Sequence, residues 1–183
     1  MMKLQTIHGR SLWQTLAAGV FVTAVRAAAY AQSGRVDGDD EAFMEQAGED
    51  GHMEGEGSQE ALKKAMSGKV KAFAQKMVDD HTKANKELTA LAAKKGVEVP
   101  AEPSVIQKGK LKMLGMADGA EFDQKYADQV GVEAHEETVE LFQKAAMGAK
   151  DADVKAWANK TLPKLKMHLE MSRTLKSEVA KKS

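Results

Sequence analysis

Apolar side chains recur every three or four residues along most of the chain after residue 40, which is the spacing of one face of an α-helix. The clearest stretch covers residues 69–95, and Gly96 follows it at the position where a glycine commonly ends a helix. The composition agrees, because only 5% of the 183 residues are aromatic and Ala, Lys, Glu and Met are abundant. The sequence therefore predicts an all-α protein.

The same periodicity predicts four long helices, at residues 40–66, 69–95, 120–147 and 151–180. About two residues separate the first two helices and about three separate the last two, so each pair is expected to form an antiparallel hairpin. Roughly two dozen residues separate the second and third helices, with a short helix expected at residues 105–116, and a connection this long can run the length of a bundle. These lengths predict a ferritin-like four-helix bundle, in which two antiparallel hairpins are joined by a long crossover.

The first 31 residues differ in kind from the rest of the chain. Lys3 and Arg10 precede an apolar run at residues 16–25, and Ala29-Tyr-Ala31 has the small-x-small form of a cleavage site. An apolar run of about ten residues is too short to span a hydrocarbon core of about 30 Å. We therefore expect a signal peptide at residues 1–31 with cleavage between Ala31 and Gln32, a flexible leader at residues 32–39 and a helical domain at residues 40–180. The expected location is the periplasm or the cell exterior, without a permanent membrane span.

Charge and cysteine content exclude several functional classes. The 27 Lys and Arg residues balance 27 Asp and Glu residues, so the chain lacks the basic field that nucleic-acid binding needs. With no Cys, it can form neither disulfides nor thiolate metal sites. The sequence contains neither a phosphate-binding loop nor a nucleophile-elbow motif. These absences favour a non-enzymatic protein, and an enzymatic role stays open. Two partner classes stay open, a second copy of the chain and another envelope protein.

Each predicted long helix carries one polar residue on its apolar face. Counting from the predicted turns at about 1.5 Å per residue places all four in the middle third of the bundle. Neutral imidazole and carboxylate groups suit Fe, Mn, Zn or Cu, and bundle cores are where such sites are built. The candidate ligands of a small metal or redox site are Glu54, His81, His135 and His168. The alternative is that these groups only form hydrogen bonds that fix the helix register, in a structural or interaction protein of the cell envelope.

The usual di-iron pattern does not fit these histidines. It requires a Glu three residues before a His on two helices, and Val132 and Leu165 occupy those positions before His135 and His168. A standard di-iron oxidase or ferroxidase is therefore disfavoured.

Several segments resemble the exported bacterial family known as domain of unknown function 4142, whose members are ferritin-like four-helix bundles. The longest is VKAFAQKMVDDHTKANKEL at residues 70–88, and the shorter ones are Phe122-Asp-Gln-Lys-Tyr126, His135-Glu136, Leu162-Pro163 and His168-Leu169. The resemblance covers about residues 41–175 and implies a ferritin-like fold in the cell envelope, but no reaction. It marks as family-typical polar positions Glu54, Glu56, Asp80, His81, His135 and His168.

Four glycines interrupt the first predicted helix, at positions 48, 51, 55 and 57. A glycine inside a helix costs about 1 kcal/mol relative to alanine, so the first half of this helix is expected to be weak. Gly55 and Gly57 also depart from the resembled family, which usually has apolar residues there.

Overall fold

The computed structural model describes residues 36–181, and this part of the chain is helical apart from its turns and one extended connection. The predicted all-α class is confirmed. None of the helices in this range is both long and apolar enough to cross a membrane. The predicted signal peptide lies outside the described residues. The helices are α1 Gly38–Lys64, α2 Gly68–Lys95, α3 Val105–Gly115, α4 Gly119–Tyr126, α5 Ala134–Gly148 and α6 Ala152–Ala180, and a π-helical segment, Ala127–Glu133, joins α4 to α5.

Four long helical segments surround the interior: α1, α2, the run from α4 to α5, and α6. α1 packs against α2 and against α5, and α6 packs against the same two helices. The short turns at residues 65–67 and 149–151 make each hairpin antiparallel. The connection at residues 96–118 joins the two hairpins and carries α3, which packs against α1.

Capping residues explain where several helices begin and end. The α2 helix ends at Gly96, which has a φ of 69°. The Asp151 side chain accepts two backbone N–H groups at the start of α6, and Ser104 forms a capping box with Gln107 at the start of α3. Asp37 caps α1, so this helix begins at Gly38, two residues before the predicted start of the helical domain.

Each hairpin turn is held by a buried aspartate from the other hairpin. Asp123 of α4 accepts from two backbone N–H groups of the turn at residues 65–67, at 2.8 and 3.1 Å. Asp40 of α1 accepts from the backbone N–H groups of Lys150 and Asp151, at 3.0 and 2.7 Å. Each carboxylate therefore satisfies exposed donors near a helix start and ties the two hairpins together.

α1 is continuous through its glycines, although each of them lowers its helix propensity. The reason is close packing, most clearly at Gly57. A Cβ atom at this position would lie 2.9 Å from Val130 Cγ2 and 3.1 Å from Leu111 Cδ2. The missing side chain lets α1 approach the π-helical segment and α3, and tertiary packing overrides the low helix propensity.

The interior consists of two hydrophobic clusters with a polar layer between them. One cluster contains the rings of Phe43, Phe142 and Trp157, whose centroids lie 5.1–5.8 Å apart. The other contains Met77 and Tyr126, towards the α1–α2 turn. Between the clusters lie four polar side chains of residues that are 0–3% exposed, Glu54, His81, His135 and His168.

Candidate metal centre

The three histidines predicted as ligands meet in the polar layer. Their ring centroids lie 5.4–5.5 Å apart in each pair. One nitrogen from each ring lies within 4.8 Å of the other two. We refer to His81, His135 and His168 as the histidine cluster. Glu54 lies beside it, with Oε2 3.2 Å from His81 Nδ1 and Oε1 3.5 Å from His135 Nδ1.

Asp80 of α2 holds the ring of His168 from outside the cluster. Its Oδ2 atom lies 2.9 Å from His168 Nε2, and Lys164 and Lys76 donate to the same carboxylate at 2.7 and 3.0 Å. Burial alone would raise the pKa of Asp80, but the hydrogen bonds from Lys164, Lys76 and His168 lower it well below its usual range. Asp80 is therefore ionised, so His168 Nε2 is the protonated nitrogen and Nδ1 keeps its lone pair.

The π-helical segment holds the ring of His135. Val130 O lies 3.0 Å from His135 Nδ1, across a sequence separation of five residues. The backbone N–H of Ala134 likewise bonds to the carbonyl of Gln129, which is the i to i+5 spacing of a π-helix. A carbonyl can only accept a hydrogen bond, so Nδ1 of His135 carries the proton and Nε2 keeps its lone pair.

Glu54 is a fully buried carboxylate with few hydrogen bonds. Thr138 Oγ1 donates to Glu54 Oε1 at 3.0 Å, and the described residues supply no hydrogen bond to Oε2. Burial raises the pKa of Glu54 well above its usual value, and the negative charge of Asp50 adds to the effect. A nearby cation would therefore stabilise the ionised form of Glu54.

Burial lowers the pKa of all three clustered histidines. The pKa of His135 falls to about 4, and the pKa of His81 lies well below its usual value, with His135 and His168 adding to the effect. The pKa of His168 is also lowered by burial, although Asp80 opposes the shift. The three rings are neutral at pH 7, which is the protonation state that metal binding requires.

Four buried polar atoms at this site lack a hydrogen-bond partner among the described residues. They belong to the four residues that the sequence predicts as ligands. Leaving one such atom unsatisfied costs about 1–3 kcal/mol, so four in one place indicate a bound ligand or water. The atoms are Glu54 Oε2, His81 Nε2, His135 Nε2 and His168 Nδ1.

Comparison with models of known protein families identifies the family of this chain. The family model described as "Domain of unknown function (DUF4142)" matches residues 25–175. The chain belongs to the DUF4142 family. The match covers all four predicted ligands and confirms the resemblance seen in the sequence, while the family description assigns no activity. Neither the curated proteins nor the solved structures include a match to this DUF4142 chain.

Sequence reasoning predicted the four side chains that meet in the polar layer of the DUF4142 chain but missed the residues that orient them. Asp80 appeared only as a family-typical position, because its role depends on His168 of a different helix. Thr138 lies three residues after His135 on a buried face, and that spacing is the signal that could have revealed it. Glu56, the remaining family-typical residue, is exposed and lies outside the cluster.

Proposed function

We propose that the protein binds one transition metal ion through His81, His135 and His168, with Glu54 as the carboxylate that offsets the charge of the ion. The observation that carries the proposal is the set of four buried, unpartnered donor atoms. Asp80 and the Val130 carbonyl support it, because metal-binding histidines commonly donate their second ring nitrogen to a carboxylate or a backbone carbonyl.

The donor set favours Zn²⁺ or Cu²⁺ over the other metals that the sequence left open. Imidazole nitrogen suits Zn, Cu and Fe, and the affinity of nitrogen sites for divalent ions rises from Mn²⁺ to Cu²⁺. Three histidine ligands leave a coordination position for water or another small ligand. A cation bound at the cluster would lower the pKa of Glu54, so metal binding favours the ionised form of this carboxylate.

We also propose the finer fold and the cellular location. A ferritin-like four-helix bundle is supported by the two antiparallel hairpins, by the long connection at residues 96–118 and by the polar layer in the core. Export is supported by the signal-peptide pattern at residues 1–31. The intact mass of protein purified from its cells tests export, and we expect a mature chain that begins at Gln32. A chain that retains residues 1–31 would contradict export and leave the metal proposal intact.

The second candidate is a non-enzymatic envelope protein whose polar layer is purely structural. One observation favours it, namely that each clustered histidine already has a polar neighbour at one ring nitrogen. Buried water could then satisfy the other ring nitrogens. This candidate predicts that removing a histidine lowers stability without changing metal content.

Titration of the metal-free chain with Zn²⁺, and separately with Cu²⁺, distinguishes the two functions. We expect saturation at one ion per chain. Free metal at 100 times Kd should stabilise the fold by about 2.7 kcal/mol, which raises the melting temperature by roughly 5–10 °C. The His81→Ala variant should lose both effects. The His52→Ala variant should keep them, because His52 is partly exposed and lies outside the cluster. Equal responses in the two variants would contradict the proposal.

A further inference from the structure

A small polar void lies beside the histidine cluster, between α1, α3 and the segment that carries His135. Its polar lining includes two carboxylates and one lysine, from Asp50, Glu137 and Lys110, together with Gln107 and Thr138. Its volume is about 10 Å³, which is room for about one water molecule. The void is therefore too small for an organic substrate and has the size of a water molecule or a small ion.

Thr138 connects this void to the histidine cluster. The residue lines the void, and its hydroxyl donates to Glu54 Oε1 at 3.0 Å. Glu54 in turn lies 3.2 Å from His81 and 3.5 Å from His135. A continuous series of polar atoms thus leads from the void to the buried nitrogens.

Gln107 of α3 lines the void and is hydrogen-bonded to Asp50. Its Nε2 donates to Asp50 Oδ1 at 2.7 Å, while its Oε1 accepts from the backbone N–H of Ser104 at 2.9 Å. The only other hydrogen bond that the described residues make to the Asp50 side chain comes from Gln46, also to Oδ1, at 2.8 Å. Oδ2 of Asp50 is therefore available to a cation, although this residue is only 8% exposed.

We propose that this void is the path by which a divalent metal ion reaches the histidine cluster, with Asp50 as the first carboxylate to receive the ion and Gln107 as the gate. The inference rests on the proposed metal-binding function. Asp50, Glu137 and Lys110 line the void, and Glu54 lies beyond Thr138, next to the ring nitrogens. The two carboxylates outnumber the one ammonium group of the lining, and a net negative lining raises the local concentration of cations and hence their association rate.

Stopped-flow uptake of Zn²⁺ by the metal-free full-length protein, with a chelating dye as competitor, tests this path. The Asp50→Asn variant keeps an oxygen that can accept the hydrogen bonds from Gln46 and Gln107, but it lacks the charge. We expect its association and dissociation rates to fall together by about tenfold, with Kd changed by less than about twofold. The matched control is Glu45→Gln, which removes one charge from an exposed position of the same helix and should keep wild-type rates.

The Gln107→Ala variant provides a test in the opposite direction. Removing the gate should speed both uptake and release while Kd stays the same. Unchanged rates in both Asp50→Asn and Gln107→Ala, with normal Zn²⁺ binding, overturn the path and leave the metal site standing. A weaker Kd with an unchanged association rate in Asp50→Asn also overturns it, because Asp50 would then stabilise the bound ion and would not admit it. A wild-type protein that binds no Zn²⁺ and no Cu²⁺ overturns the proposed function, and the path with it.

Discussion

His168 Nε2 lies 2.9 Å from Asp80 Oδ2, and this contact joins α6 to α2 at the edge of the histidine cluster. Lys76 and Lys164 neutralise the carboxylate from its other sides. The arrangement keeps a charged group at the edge of the polar layer and presents His168 Nδ1 without a partner. The contact therefore determines which ring nitrogen of His168 faces the histidine cluster.

The Asp80→Asn substitution tests this role. It removes the charge that fixes the His168 tautomer, so we expect the affinity for Zn²⁺ to fall by about 10–100-fold. The matched control is Asp79→Asn, the same change at an exposed neighbouring position. Competition with a chelator of known affinity measures both. Equal affinities in the two variants would show that Asp80 does not orient a ligand.

Glu54→Gln is expected to stabilise the metal-free protein while weakening its metal binding. Burial raises the pKa of Glu54 above its unfolded value of 4.5, so its contribution to stability is lost as the pH rises from 4.5 through the folded pKa. Glutamine does not ionise and can still accept from Thr138. In urea unfolding, the variant should therefore exceed the wild type in free energy of unfolding by more at pH 8 than at pH 5. A stability loss that is equal at both pH values would contradict the assigned pKa direction.

The clustered histidines should make the metal-free protein sensitive to mild acid. Burial lowers the pKa of His135 to about 4, so its contribution is complete above pH 6.5 and is lost as the pH falls from 6.5 towards 4. Each such histidine reduces the free energy of unfolding by about 1.4 kcal/mol per pH unit in that window. The Glu54→Gln background removes the opposing titration of Glu54. Adding His135→Gln to this background should reduce the slope of the free energy of unfolding against pH by the equivalent of about one proton. Urea unfolding between pH 7 and 5 measures the slope. An unchanged slope would exclude His135 as a titrating group.

The close packing of the π-helical segment against α6 requires a glycine at Gly131. A Cβ atom at this position would lie 3.0 Å from Ser172 Cβ of α6, so Gly131→Ala must separate the two elements. We expect a loss of about 1–3 kcal/mol in the free energy of unfolding, together with weaker metal binding because His135 is held by this segment. The control is Gly109→Ala on the exposed face of α3, where nothing lies within 4 Å, and a gain of about 0.5–1 kcal/mol is expected. A Gly131→Ala variant as stable as the wild type would refute the packing argument.

The bounds of a helix were predictable where they depend on its own apolar periodicity and capping residues. The apolar stripe of α2 and the following Gly96 predict both ends of that helix to within one residue. Asp151 predicts the start of α6 equally closely. The π-helical segment was not predictable, because inserting one residue into a helix leaves the apolar spacing on either side nearly intact. The continuity of α1 was not predictable either, since Gly57 is required by Val130, a residue 73 positions away.

The candidate site was likewise predictable only in part. Glu54 and the three histidines stand out because each is a polar residue on an apolar stripe, and counting from the predicted turns places all four in the middle third of the bundle. Their orientation depends on contacts between helices, from Asp80 to His168 and from Thr138 to Glu54, which no spacing within one helix encodes. The sequence therefore indicates which groups meet, while the structure indicates which ring nitrogens are left for a ligand.

The most direct test of the account is the metal content of the protein purified from its own cells without a histidine tag, measured by elemental mass spectrometry. We expect close to one Zn or Cu per chain in the wild type and in His52→Ala, and almost none in His81→Ala. Wild-type protein that contains no transition metal, or His81→Ala protein that retains the wild-type amount, would contradict a metal centre at the histidine cluster.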